Sequence, residues 1–360
     1  MPSAALYHYH LGHGSVISVP GKTEAFQISG TTELNKSVDL VSSFLLARSV
    51  PFRNGLRTGS DVTGMGADDA LGRLSFVDTD TVQVHRGSGD GSAPQFFARG
   101  TAVEFASSMV ASVQRGSIAL GGGVTSNTAT ISSVDPTRSV VVFLGNDSDT
   151  ATIDRIFPKV ELTNAATVTA SRTSGTGTIH VGFAVIEFAP GVVSQIQQVS
   201  KTLNDPDTSG NVTLTSVDTS RTVCFPRGFT VGGNSSMANT VALGYLADTT
   251  TFTVERNASA AGATVTYEAT VVEFNASYVS VQRGRTTMAS VSSATASVTS
   301  VAQNQSFPLL LGFKTSGSGG TESQVFGTVH HSAANTITVE RGEASIASLT
   351  LSWELVTMLV

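Results

Sequence analysis

Cysteine occurs once in the 360 residues, at Cys224, so no disulfide can form within the chain. The β-rich segment around it predicts a small buried hydrophobe. Charge is equally sparse, at 13% of residues with a net charge of −6, and no basic patch offsets the acidic balance. A phosphate backbone needs one, which excludes nucleic acid as an expected partner. No apolar run reaches the length needed to cross a bilayer, and the opening MPSAALYHYHLGHGS has neither the charged nor the apolar region of a signal peptide. The expectation is a chain made in a cytoplasm, soluble there, with no membrane insertion.

Catalytic signatures are missing too. There is no G-x-S-x-G, H-E-x-x-H, P-loop or paired C-x-x-C. A non-enzyme without a cofactor is expected. The insertion holding Gly64, Gly66, Asp68 and Asp69 has the glycines of a phosphate-cradling loop without the strand, third glycine and helix of a dinucleotide site, and is read as a surface loop.

Repetition is what the chain has. Thr81–Phe105, Thr167–Phe188, Thr251–Phe274 and Thr336–Leu355 share one outline: an alternating strand into an arginine (Arg86, Arg172, Arg256, Arg341), a small-residue turn, and an apolar return strand. The return ends in a glutamate next to an apolar residue (Glu104, Glu187, Glu273, Glu354), at separations of 83, 86 and 81 residues counted from those numbers. A second marker is Ser37-Val38-Asp39, Ser133-Val134-Asp135, Ser216-Val217-Asp218 and Ser300-Val301-Ala302. Thr, Val, Phe and Ile fill the alternating segments while Gly, Asn, Asp and Ser fill the gaps, which is strand and turn chemistry.

The fold class expected is therefore all-β, with four tandem repeats of about 84 residues, each a small antiparallel β-sandwich or barrel. The division runs 1–22, an N-terminal arm; 23–106, with a loop insertion at 52–72; 107–189; 190–274; and 275–360. Phe26–Ile28 and Ser43–Ser49 are expected as early strands of the first repeat. Short junctions and the thin cores of units this size predict close packing between neighbours or between chains, hence a homo-oligomer. The apolar ending LSWELVTMLV predicts a terminus tied into a sheet or interface.

Candidate sites are few. His8, His10 and His13 have a spacing that would put two imidazoles on one side of a strand, where a metal could bring copies together. Asp147, Asp149 and Asp154 could ligate calcium, although Asx turns explain them without an ion. The recurrent Arg and Glu read as a structural pair within each repeat, a guanidinium fork on a carboxylate. Strict alternation puts Glu187 and Glu273 on the inward face but Glu354 on the opposite one, a conflict that a bulge could resolve. Arg115, Gln198 and Arg283 occupy matching places in VASVQRG, VSQIQQV and VSVQRG, and a position that accepts either residue suits hydrogen bonding better than catalysis.

A low-charge, Ser/Thr/Gly-rich, four-fold repetitive all-β chain of this kind resembles the virion structural proteins of tailed bacteriophages, built of tandem β-sandwich domains. The resemblance implies a non-enzymatic tail, baseplate, fibre or capsid-decoration component, located in the virion after synthesis in a host cytoplasm. It further implies an oligomer in contact with other virion proteins. The alternative is a lectin-like host-recognition protein that binds a surface glycan.

Overall fold

The computed structural model describes residues 21–30, 35–58, 71–87, 95–233, 237–257, 263–316, 322–345 and 347–360. Each quarter of the sequence supplies six strands. Repeat 1 has β1 (Lys22–Gly30), β2 (Asn35–Asp39), β3 (Ser49–Thr58), β4 (Arg73–Phe76), β5 (Thr81–His85) and β6 (Phe96–Glu104). Repeat 2 has β7 (Val110–Leu120), β8 (Ser126–Thr130), β9 (Ser139–Ser148), β10 (Lys159–Asn164), β11 (Thr167–Ser171) and β12 (Ile179–Phe188). Repeat 3 has β13 (Val193–Leu203), β14 (Ser209–Thr213), β15 (Thr222–Gly232), β16 (Ala242–Leu246), β17 (Thr251–Arg256) and β18 (Thr264–Phe274). Repeat 4 has β19 (Val279–Met288), β20 (Ser293–Ser297), β21 (Ser306–Thr315), β22 (Gly327–Ala333), β23 (Thr336–Arg341) and β24 (Leu349–Met358). The all-β expectation holds, and the four similar sheets form a four-bladed, propeller-like ring.

Sheets and repeats do not coincide. The six-stranded sheets run β1-β6-β3-β22-β23-β20, β7-β12-β9-β4-β5-β2, β13-β18-β15-β10-β11-β8 and β19-β24-β21-β16-β17-β14. Every sheet thus joins the first, sixth and third strands of one repeat to the fourth, fifth and second strands of the repeat before it. Repeat 1 takes its partners from repeat 4, which closes the ring without a covalent bond.

The joint is the same in all four places. A single ladder pair links the third strand to its neighbour: Gly55 with Thr328, Gly145 with Arg73, Gly228 with Lys159, and Gly312 with Leu243. Each glycine has a positive φ, from +95° to +121°, and follows directly on, or sits in, a bulge against the sixth strand. A β-carbon at Gly228 would lie 2.3 Å from the Pro158 carbonyl oxygen, and one at Gly312 would lie 2.3 Å from that of Ala242. Glycine is required there for both conformation and approach.

Alternation along the strands builds two kinds of core. Within repeat 1, Phe26, Ile28, Leu56, Leu74, Val82 and Phe96 fill the space between its two half-sheets. Toward the ring axis, the beginnings of the third strands and the ends of the sixth strands bring together Phe52, Phe105, Phe188, Phe225, Phe274 and Phe307. Phe52 and Phe307 stack at 5.0 Å, and Phe188 meets Phe274 edge-on at 5.0 Å. Each buried phenylalanine contributes about 1.5–3 kcal/mol, so the four repeats share one apolar plug. At one edge of each sheet, the second strands are only five residues long and polar, as in SNTAT and SGNVT, which blunts that edge.

Two local expectations need correction, while the C-terminus is tied into a sheet as expected. Ser43–Ser49 is not a strand, because Leu46–Arg48 forms a single 3-10 turn and the strand starts at Ser49. Ser37-Val38-Asp39 lies on β2, whereas Asp135, Asp218 and Ala302 cap the 3-10 turn before the third strand, where repeat 1 has Leu45. The apolar C-terminal strand is an interior strand of its own sheet, and the Val360 carbonyl accepts a bond from the Gly21 amide at 3.3 Å.

Candidate functional site

The polar chemistry of the ring concentrates where one repeat meets the next. Arg73 of repeat 1 binds Asp147 of repeat 2 at 2.6 Å, and His180 holds the other carboxylate oxygen at 2.7 Å. Lys159 of repeat 2 binds Glu268 of repeat 3 at 2.9 Å, and Arg227 reaches the same carboxylate at 2.6 Å. Glu255 of repeat 3 takes Arg285 at 3.0 Å and Lys314, both of repeat 4. Glu340 of repeat 4 closes the ring onto Arg99 of repeat 1 at 2.9 Å. Four seams carry four different ionic sets, with the acid on the earlier repeat in two of them and on the later repeat in the other two.

Beside two of these seams lies the same cleft. Between repeats 1 and 2 it measures about 310 Å³ and is lined by Phe76, Arg115, Gly116, Ser117 and Phe183 among others. Between repeats 3 and 4 it measures about 210 Å³, with Arg283, Gly284, Arg285 and Trp353 in the places of Arg115, Gly116, Ser117 and Phe183, and Tyr245 in that of Ser75. Gly116 and Gly284 pack closely against the rings of Phe183 and Trp353, because a β-carbon on either would fall 2.7 or 2.5 Å from the ring. Trp353 is buried, and its indole N–H donates to Thr286 Oγ1 at 2.9 Å.

The arginine in each cleft is a strap between repeats. Arg115 donates to the carbonyls of Leu46, at 2.6 Å, and Ser49. Arg283 donates to the equivalent carbonyls of Thr219 and Thr222 at 2.6 and 2.7 Å. At the closing seam, the Thr23 hydroxyl meets the corresponding Gln303 and Ser306 carbonyls at 2.8 and 3.0 Å. Between repeats 2 and 3 the matching residue is Gln198, which bonds Thr270 instead and leaves a cavity of about 110 Å³ against Pro136 and Ser139. Gln198→Arg should fill that cavity, restore both carbonyl bonds and raise stability by about 1 kcal/mol. Urea denaturation checks this, and an unchanged or lower midpoint would contradict it.

Glu354 forms the deepest polar contact. Its carboxylate is fully buried and accepts from the Cys224 backbone N–H at 2.8 Å and from Arg283 Nε at 3.2 Å. Burial raises its pKa above the ordinary carboxylate value, and Arg283 opposes the rise. Burial likewise pushes the Cys224 thiol well up, assisted by Glu354, so that thiol stays protonated and inert.

Another polar row lies within repeat 1, beside its seam with repeat 2. Ser75 Oγ lies 2.8 Å from His85 Nε2, and Asn35 Oδ1 lies 2.7 Å from His85 Nδ1. Burial first, and Arg73 second, lower the His85 pKa to about 4, so the imidazole is neutral at pH 7 and a weak base. The row reads as a side-chain ladder over three adjacent strands.

The recurrent Arg and Glu do not pair with each other. Glu104, Glu187 and Glu273 bind the arginine of the 3-10 turn, namely Arg48, Arg138 and Arg221, at 2.5, 2.5 and 2.6 Å. The arginines at the strand ends bind carbonyl oxygens instead. Arg172 donates to Leu120, Gly121 and Gly177, Arg256 to Asn204, Asp207 and Ala263, and Arg341 to Val291, Ser345 and Ala347. Each closes the loop ends of its own repeat.

Glu354 is not the fourth member of the glutamate series. Register pairs Ser49, Ser139 and Thr222 with Glu104, Glu187 and Glu273, and pairs Ser306 with Thr357. Glu354 stands three places earlier, opposite Leu309, which accounts for its opposite phase without a bulge.

His8, His10 and His13 lie outside the described residues. Asp147 is occupied by Arg73 and His180, Asp149 accepts the Thr178 amide at 2.6 Å, and Asp154 pairs with Arg155 at 3.7 Å. Among the described residues, no three His, Cys, Asp or Glu side chains are grouped to hold a metal. The seam glycines were missed, although their recurrence inside apolar strands signals a bulge or a close backbone approach.

No protein-family model matches the chain, and no curated protein matches its sequence.

Proposed function

We propose that the protein is a non-enzymatic structural component of a tailed-bacteriophage virion, of tail, baseplate, fibre or capsid-decoration type, and that the closed ring is the unit that assembles with copies of itself and with other virion proteins. The observation that supports this most is the use made of the recurrent charged side chains. Arg172, Arg256 and Arg341 tie loop carbonyls, Arg115 and Arg283 strap adjacent repeats, and the seam carboxylates each hold a cation from a neighbouring repeat. Such groups serve shape, and a ring whose repeats interlock through shared sheets suits a rigid building block.

The test is sedimentation of the purified full chain together with electron microscopy. Ordered assemblies larger than the 37.1 kDa chain are expected. A stable monomer at micromolar concentration that decorates no particle would contradict the reading.

A further inference from the structure

At three seams a side chain of one repeat claims two backbone carbonyls of the repeat before it: Arg115, Arg283 and Thr23 do so. At the seam of repeats 2 and 3, Gln198 turns to Thr270, and among the described residues no side chain takes up the matching carbonyls of Pro136 and Ser139. Buried acceptors left without a donor are costly. The charges agree. With histidines left aside, Arg73, Arg115 and Asp147 leave one positive charge in excess at the first seam, and Arg283, Arg285, Lys314, Glu255 and Glu354 do the same at the third. At the second seam Lys159, Arg227, Glu268 and Glu161 cancel, so it is one cation short. The cavity beside Gln198, about 110 Å³, has room for about three to four waters at roughly 30 Å³ each. That suffices for the one carbon and three nitrogens of a guanidinium. It is open to solvent at Pro136, Glu161 and Gln198 and closed at Ser139, Arg227 and Thr270, which are buried.

We propose that this cavity binds a guanidinium supplied from outside the chain, in the place that Arg115 and Arg283 fill at the neighbouring seams. The carbonyl oxygens of Pro136 and Ser139 accept its planar fork, and Glu161 at the mouth balances its charge. An anion would face those same oxygens and Glu161, while the Arg227 guanidinium is already held by Glu268 at 2.6 Å. Both a free small guanidinium and the arginine side chain of a partner protein have this chemistry.

Ligand-observed NMR titration of the full chain tests it, with methylguanidinium, its neutral isostere methylurea, and a short blocked peptide holding one internal arginine as probes. Methylguanidinium should bind about tenfold or more tighter than methylurea. Tighter binding of the peptide than of methylguanidinium assigns the site to an arginine of a partner, and equal or weaker binding assigns it to a free small cation. Gln198→Arg installs the chain's own strap and should abolish binding without lowering the urea midpoint. Glu161→Gln leaves the cavity open and should weaken binding about tenfold. If the first substitution impairs folding, the second alone decides. Equal binding of methylguanidinium and methylurea, binding unchanged by these substitutions, or no binding to the wild type would overturn the proposal.

Discussion

Replacing Gly228 by alanine should destabilise the protein by about 3–4 kcal/mol, the sum of a strained positive φ and a collision between backbones. The added β-carbon would sit 2.3 Å from the carbonyl oxygen of Pro158, the residue just before β10 of the preceding repeat. Relief therefore requires β10 to part from β15, and their ladder is the single pair Lys159–Gly228. Urea denaturation should show the loss as a shifted midpoint. The same substitution at Gly55, Gly145 or Gly312 should behave alike, since each has the positive φ and a carbonyl 2.1–2.3 Å away. Gly122→Ala is the control, because nothing lies within 4 Å of its added carbon, and its effect should stay within about 0.5 kcal/mol.

The second large effect concerns Arg283 and Glu354. Arg283→Met should cost about 3–5 kcal/mol, because it leaves a fully buried carboxylate with Cys224 alone, through its amide and thiol, and also cuts the strap to Thr219 and Thr222. Glu354→Gln should cost less, since it removes the buried charge and its amide oxygen still accepts from one of the two donors, although the NH2 group then faces the other. Adding Glu354→Gln to Arg283→Met should recover part of the loss, and a cycle over the four proteins isolates the coupling.

The pH dependence has a definite sign. Burial raises the folded pKa of Glu354 above its unfolded value near 4.5. The folded state then binds more protons in the window above that value, so the contribution of this group is fully present below it and is lost as pH rises through the folded pKa. The stability of the wild type relative to Glu354→Gln should therefore fall between pH 4 and the higher folded pKa. A difference that grew with pH would contradict the assignment.

Much of the architecture was legible in the sequence, for reasons that also mark where legibility stopped. Strand alternation and the endings Glu104-Phe105, Glu187-Phe188 and Glu273-Phe274 expose the repeat, because each ending serves one local geometry: glutamate to a 3-10 arginine, phenylalanine to the axial plug. The sharing of each sheet between two repeats is carried by one glycine per repeat, and a glycine inside a strand does not say which backbone comes near. The fourth glutamate was misassigned because residue type was matched instead of register. Its reversed phase was the available clue that Thr357 is the true counterpart. For the arginines, composition gives the donor but not the acceptor, since carbonyl oxygens occur at every residue and only the folded chain selects among them.

The account rests on repeats that interlock across seams, and equilibrium unfolding of a chain ending at Phe274 tests it most directly. Without repeat 4, strands β1, β6 and β3 lose β22, and β14, β17 and β16 lose β21, so two half-sheets are left without partners. The shortened chain should show no cooperative transition near that of the full protein. A transition as sharp and as stable as the full-length one would mean that the repeats fold as separate units.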